Sequence, residues 1–332
     1  MVAIGAAVGI LLTVHHGAPP APPASTTTTS AAAAGPECPL TGLPAPGGTV
    51  PARPALAIKV DNYPAARPQS GLDKADIVFE EPVEGGITRL VAVFQCSGAS
   101  LVGPIRSARA VDVQILDQLS HPLFVHAGGI GPVISMLQAG NLTDDNVFWH
   151  GSIIVNPPGR VAPYDTYVTT GRAWALQPSD TTPPQPLFTY ATEVPTGTPA
   201  AVVHVPYSST NDNDWSWDSG SRTWQLTIGG TPATSADGNR IGVANVVIES
   251  VQVSYGPWLE NDQGGLEVQS HLTGSGPLVV LRDGVEITGT WQRGALSSPT
   301  SLVAADGTSI PLAPGPTWVE IVPSTIRVTA SH

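Results

Sequence analysis

Charge is scarce in this chain. Asp, Glu, Lys and Arg together make up 12% of its 332 residues, and one stretch concentrates three Arg and a group of carboxylates between apolar runs. From Asp76 to Gly129 it reads DIVFEEPVEGGITRLVAVFQ, then GPIRSARAVDVQILDQL, then LFVHAGG. Asp76 to Glu80 and Ile87 to Gln95 have strand character, and Gly85-Gly86 between them supports a hairpin. Pro104 suits the first turn of a helix, after which Ile105, Ala108, Val111, Ile115 and Leu119 recur at helical spacing. Leu123 to Ala127 is a further short strand closed by Gly128-Gly129. Strand, hairpin, strand, helix, strand is α/β grammar. Charges packed this densely within it are either an internally paired network or a ligand site.

The flanking sequence sets the organisation. Val2 to Val14 (VAIGAAVGILLTV) is an apolar run too short for a comfortable bilayer span but of the length of a signal-sequence core. Residues 1–16 are therefore expected to be a signal or membrane-anchor segment. Residues 17–37, rich in Pro, Ala and Thr, cannot bury a core and form an extended spacer. Residues 38–177 add the buried strand Ala55 to Val60 to the stretch above and are expected to form a mixed α/β domain. A Pro-rich linker follows over 178–200. From 201 to 330, β-rich runs such as Thr223 to Ile228 and Val243 to Tyr255 alternate with turns such as Asp237-Gly238 and Asp283-Gly284. Six of the eight Trp fall there. The fold class is α+β: a mixed α/β N-terminal domain followed by a smaller, mostly-β C-terminal one.

Composition excludes some partners. A net charge of -12, with only two Lys, Lys59 and Lys74, leaves no positive surplus to neutralise phosphate backbones, so nucleic acid is not an expected partner. Cys38 and Cys96 are too few for a thiolate zinc site. In an exported protein they would form one bridge closing a loop of about 60 residues, worth roughly 4 kcal/mol; otherwise they are two thiols, one of them in a strand. Cys38 lies in GPEC, without the small and Leu residues of a lipobox, so lipidation there is not expected.

GPIRSAR places Arg106 and Arg109 three residues apart around Ser107, at the expected helix start, where such residues share a face. Two guanidiniums beside free amides and the helix dipole would seat a phosphate or carboxylate. Arg89 and Arg67 are further candidates, and His126, Gly128 and Gly129 sit where a side chain and bare backbone could both meet a ligand. The competing reading pairs the arginines with Glu80, Glu81, Glu84 or Asp112, tying the helix to the hairpin. Asp76, Glu80, Glu81 and Glu84 could hold a divalent cation or supply a base. Alternation puts Glu80 and Glu81 on opposite faces, so they read as Arg partners, and no metal site is assigned. Asn211 to Asp214 (NDND) with Asp218 lacks the Gly and Glu of a calcium loop and reads as a β-turn. Trp215, Trp217 and Trp224 make either half a core or a glycan-stacking face. There is no GxSxG, P-loop or HExxH, which leaves nucleophilic and zinc hydrolases without support.

CPLTGLP, RPALAIKVDNYPAARPQSGLDKADIVFEEPVEGGITRLVAVFQ, GPIRSAR, HAGG, ANVVIESV, GSGPLVVLRDG and PGPTWVEIV together resemble the YerB-like lipoprotein family, over nearly everything from Cys38 to Pro323. The resemblance implies a two-domain extracytoplasmic bacterial protein in a family without an assigned activity. The chain departs from it at Pro163 to Val168 (PYDTYV), where relatives tend to carry Pro-His-Asn. A second likeness is to the LytR-CpsA-Psr enzymes, which transfer phosphate-linked glycans from polyprenyl carriers to peptidoglycan. That likeness would turn Asp76 toward a metal and Arg89, Arg106 and Arg109 toward a pyrophosphate, although Ser107 stands where those enzymes carry Asp.

The expected function is an envelope-associated, extracytoplasmic protein, membrane-anchored or secreted. It would bind an anionic cell-wall polymer or lipid-linked glycan through Arg106, Arg109 and Arg89, with membrane contact through the N-terminal segment. A metal-assisted phosphotransferase and a scaffold for cell-wall enzymes are the alternatives. No cofactor is expected, Mg²⁺ entering only with the phosphotransferase.

Overall fold

A strand that is apolar on both faces needs a layer on each side, and β1 (Leu56–Asp61, LAIKVD) is buried at every position. The computed structural model describes residues 35–260 and 264–331, together with residues 1–3, 5 and 9. The anchor and spacer expected over 1–16 and 17–37 lie almost wholly outside the described residues. No described helix is long and apolar enough to cross a membrane.

After β1 come β2 (Ile77–Pro82), β3 (Thr88–Phe94), α1 (Ala110–Asp117), β4 (Leu123–His126), α2 (Gly131–Ala139), β5 (Thr143–Asn146) and α3 (Thr170–Trp174). The remainder is strand: β6 (Thr198–Pro199), β7 (Val202–Ser208), β8 (Asn211–Asp218), β9 (Thr223–Ile228), β10 (Thr231–Pro232), β11 (Gly242–Val243), β12 (Asn245–Val251), β13 (Val253–Leu259), β14 (Leu266–Ser270), β15 (Gly274–Arg282), β16 (Val285–Arg293), β17 (Ser301–Ala304), β18 (Thr317–Pro323) and β19 (Thr329–Ser331). Val243 to Tyr255, expected as one strand, is broken at Ala244 and at Gln252, so that it falls across β11, β12 and β13.

An 11-stranded sheet runs in the order β17-β16-β15-β12-β18-β2-β3-β1-β4-β5, with β6 on β16. Strands from both sides of the Pro-rich segment share it, because β18 runs parallel to β12 and to β2, setting Thr317–Glu320 beside Ile77–Glu80. One face packs α1 and α2 through Val111, Ile115, Val133 and Leu137 onto Ala57, Phe79, Val91 and Val319. The other packs the six-stranded sheet of β7–β11 and β19 through Val203, Val205, Trp215 and Leu226 onto Ile58, Val78, Leu90 and Trp318. The separate hairpin β13–β14 leans on α1, where Gln114 Nε2 donates to Ser270 O at 2.8 Å. Cys38 and Cys96 are bonded, with Cα atoms 5.9 Å apart.

Two local expectations are overturned. The helix begins at Ala110, not at Pro104. Residues 104–109 stay extended because their amides are taken elsewhere: Arg106 N donates to Lys59 O (3.0 Å), Ile105 N to Thr166 O (2.7 Å) and Ala108 N to Gly128 O (2.9 Å). NDND is strand β8, not a turn. Asn211 and Asn213 point inward with Trp215, and the intervening Asp face out.

Candidate functional site

The parallel strands β1, β4 and β5 end side by side, at the edge where open α/β sheets place ligands. A cavity of about 1020 Å³ lies there, and Arg89, Arg106, Ser107, Arg109, Gly128 and Gly129 all line it together with Glu84 and Glu260. Arg106 and Arg109 do not share a helix face. They reach the cavity from an extended segment that crosses from the end of β1 to the loop after β4.

Strand register builds the floor. Glu81, Arg89 and Asp61 are direct partners across β2, β3 and β1 and so face the same side, beneath α1. Arg109 makes a two-toothed pair with Glu84, using Nε at 2.9 Å and Nη2, and Nη1 lies 3.0 Å from Glu260. Burial works against the charge on Arg109, yet these carboxylates hold its titration above the usual arginine range; burial likewise opposes the charge on Glu84, which Arg109 and Arg89 hold below the carboxylate range. Arg89 Nη1 donates to Ser107 O (3.1 Å), Nη2 lies 3.4 Å from Glu84, and its buried Nε has no partner among the described residues. Burial and the neighbouring Arg109 push Arg89 down to about 10. Arg106 is 32% exposed and places Nε 3.1 Å from Asp61; its two terminal nitrogens have no acceptor among the described residues.

The helix start is not a free anion seat. Ala110 N donates to Glu267 Oε1 (2.7 Å) and Arg109 N to Asp112 Oδ2 (2.7 Å). Burial and the adjacent Glu260 push Glu267 up to about 9. Behind this wall Lys59 Nζ pairs with Glu81 and, at 2.7 Å, with Asp112, all three fully buried.

Four other candidates stand outside the cavity. Arg67 lies over the second sheet, spending its nitrogens on Asn62 and on Thr210 O. His126 is buried behind the glycines, between Gly128 O (2.8 Å) and Asp144 (2.6 Å). Asp76 sits at the far end of β2, roughly 17 Å of strand from Glu81, and accepts from the amides of Gln95 (2.6 Å) and Cys96 (3.1 Å). The metal-facing role that the LytR-CpsA-Psr likeness gives Asp76 beside the arginines is thus not met. Glu80 is on the opposite face, where Thr88, Asn62, Asn213 and Trp318 bond it next to Glu320. Trp215 and Trp224 are fully buried, so they offer no glycan-stacking face. Among the described residues no group of three His, Cys, Asp or Glu is placed to hold a metal ion.

Sequence reasoning missed Lys59, Glu260, Glu267, Asn146, Phe148 and Trp149. Lys59 carried a signal, as a lone cation inside an otherwise apolar strand. Glu260 and Glu267 carried none, because only the tertiary path brings their hairpin to α1.

Residues 40–182 match the family described as "Protein of unknown function (DUF3048) N-terminal domain", and residues 203–319 match its C-terminal domain. The chain is 28% identical over 298 residues to "Putative lipoprotein YerB" of Bacillus subtilis strain 168, covering 86% of each. The crystal structure of YerB from Bacillus subtilis matches it with a TM-score of 0.75 at 27% identity, over 88% of this chain and 99% of that one. Domain matches, sequence identity and shared fold agree: the chain belongs to the YerB-like DUF3048 family.

Proposed function

We propose that the chain is an extracytoplasmic, envelope-associated protein whose cavity holds an anionic, phosphate- or carboxylate-bearing envelope ligand. The observation that carries this is Arg106, half-exposed in the cavity with both terminal nitrogens open, beside the buried and unpartnered Nε of Arg89. Arg109 is already bound to Glu84 and Glu260 and acts as support. Partial burial of the cavity floor lowers the local dielectric and strengthens a guanidinium–anion contact relative to bulk water. The extracytoplasmic placement rests on the lipoprotein name of the relative, on the disulfide, which suits an oxidising compartment, and on the apolar N-terminal run with its spacer.

Thermal unfolding of the purified protein with polyprenyl phosphates, teichoic-type polymers or peptidoglycan fragments tests the reading. A ligand at 100 times its Kd adds about 2.7 kcal/mol of stability, and Arg106→Ala, binding about tenfold more weakly, should cut this to about 1.4 kcal/mol or less. No shift with any of these would reject it. The scaffold reading draws on the two carboxylates that occupy Arg109 and would then take its place. A phosphotransferase would need a carboxylate other than Asp76.

A further inference from the structure

The cavity has a second chemical character that its arginines do not use. Directly after β5, Phe148 and Trp149 are 70% and 53% exposed, and both line the cavity. Exposing two large aromatic side chains next to each other forgoes burial that a core would supply. The turn that presents them is firmly built. Buried Asn146 accepts through Oδ1 from Phe148 N (3.1 Å) and from Gly128 N (3.2 Å), and Trp149 N donates to Asn146 O (2.9 Å). Gly128 has φ +74°, and a Cβ there would lie 3.2 Å from Phe148 Cε2. Glycine thus lets the ring rest on bare backbone. One asparagine locks the aromatic rim to the glycine loop that lines the arginine floor.

We propose that Phe148 and Trp149 form a sugar subsite, stacking a pyranose ring while the floor bonds its hydroxyls or the attached anion. This rests on the anion-binding reading of the same cavity and extends it to a glycan carrying a negative group. The chemistry fits on both sides. A pyranose offers an apolar C–H face to an aromatic ring and hydroxyls at its edge. Arg106, whose terminal nitrogens are open, and Glu84, which lines the same cavity, offer a donor and an acceptor to such hydroxyls. The subsite lies on the α/β half, not on the Trp-bearing strands, where Trp215 and Trp224 are core.

The test uses two probes that separate the claims, chitotetraose as a neutral sugar and inorganic pyrophosphate as a bare anion, titrated into the wild type, Phe148→Ala, Trp149→Ala and Arg106→Ala. Both aromatic residues are exposed, so their loss leaves the fold intact, which an unchanged unfolding midpoint would document. The expected result is chitotetraose binding with a blue shift of tryptophan emission. Trp149→Ala loses that blue shift, and each aromatic variant binds about tenfold or more weakly, with pyrophosphate affinity unchanged. Chitotetraose that fails to bind, or binds both aromatic variants as tightly as the wild type, overturns the subsite. Adenosine bound through Trp149 in place of chitotetraose overturns it in favour of a nucleobase. Chitotetraose binding lost in Trp149→Ala with no pyrophosphate binding to any form upholds the subsite and removes the anion site alone.

Discussion

Replacing Lys59 by Met tests how the cavity wall is held. Lys59 Nζ is the shared partner of Glu81 and Asp112, and no part of the three side chains reaches solvent. Met has nearly the volume of Lys, so the change removes charge more than packing. It leaves two carboxylates facing each other in the interior, a defect worth about 3–5 kcal/mol. Glu81 sets the pH dependence. Burial and then Asp112 already push it up to about 7 with Lys59 opposing them, and removing Lys59 drives it higher. A carboxyl raised on folding gives stability that is complete below its unfolded value near 4.5 and lost as pH rises through the folded value. The deficit of the variant should therefore widen above pH 7 by up to about 1.4 kcal/mol per pH unit and be smaller at pH 5. Urea unfolding followed by tryptophan fluorescence at pH 5 and pH 8 measures this, provided the denaturant slope is unchanged. Lys59→Met combined with Glu81→Leu should recover much of the loss. A variant within 1 kcal/mol of the parent at pH 8, or a deficit independent of pH, would refute the argument.

Cys38→Ala with Cys96→Ala opens a 58-residue loop and should lower the unfolding free energy by about 4 kcal/mol, read in urea beside the reduced parent. Glu249, which burial pushes up to about 7 against the pull of Arg293, gives stability that is full below pH 4.5 and lost through pH 7. The parent should lose about 3 kcal/mol over that span through this group, and Glu249→Gln should remove that component from a stability-versus-pH curve. Arg109→Ala strands Glu84 and Glu260 and should cost about 3–5 kcal/mol, whereas the half-exposed Arg106→Ala should stay within about 1 kcal/mol of the parent; equal losses in thermal unfolding would contradict the separate roles given to them.

The alternation and punctuation of the chain show β1 to β4 to within two residues, since each is a largely apolar run cut by Pro, Asp or Gly; β5, a polar TDDN run with no such signal, went unread. Arg89, Arg106, Arg109 and Gly128-Gly129 were legible as a group because Arg89 stands at the start of β3, the glycines follow closely on β4 and the two other arginines lead into α1. What misled was local periodicity. Ile105 and Ala108 repeat at helical spacing, but β1 and the loop after β4 take the backbone of that segment, and propensity yields to tertiary hydrogen bonds. NDND looked like a turn by composition, yet its alternate Asn are inward polar ligands of Thr88, Glu80 and Glu320. That choice depends on residues more than 100 positions away. Arg67 left the expected group for the same reason, drawn to Thr210 O. The Glu260 and Glu267 contacts were illegible because a free hairpin gives no sign of what it leans on.

Arg106 offers an open guanidinium edge to an anion. Isothermal titration of inorganic pyrophosphate into the wild type and Arg106→Ala, at low and at physiological ionic strength, tests it most directly. A single site is expected that weakens with salt and is about tenfold or more weaker in the variant, matching loss of one charge-assisted contact. Equal affinity in both proteins, or no heat of binding to the wild type, would contradict it.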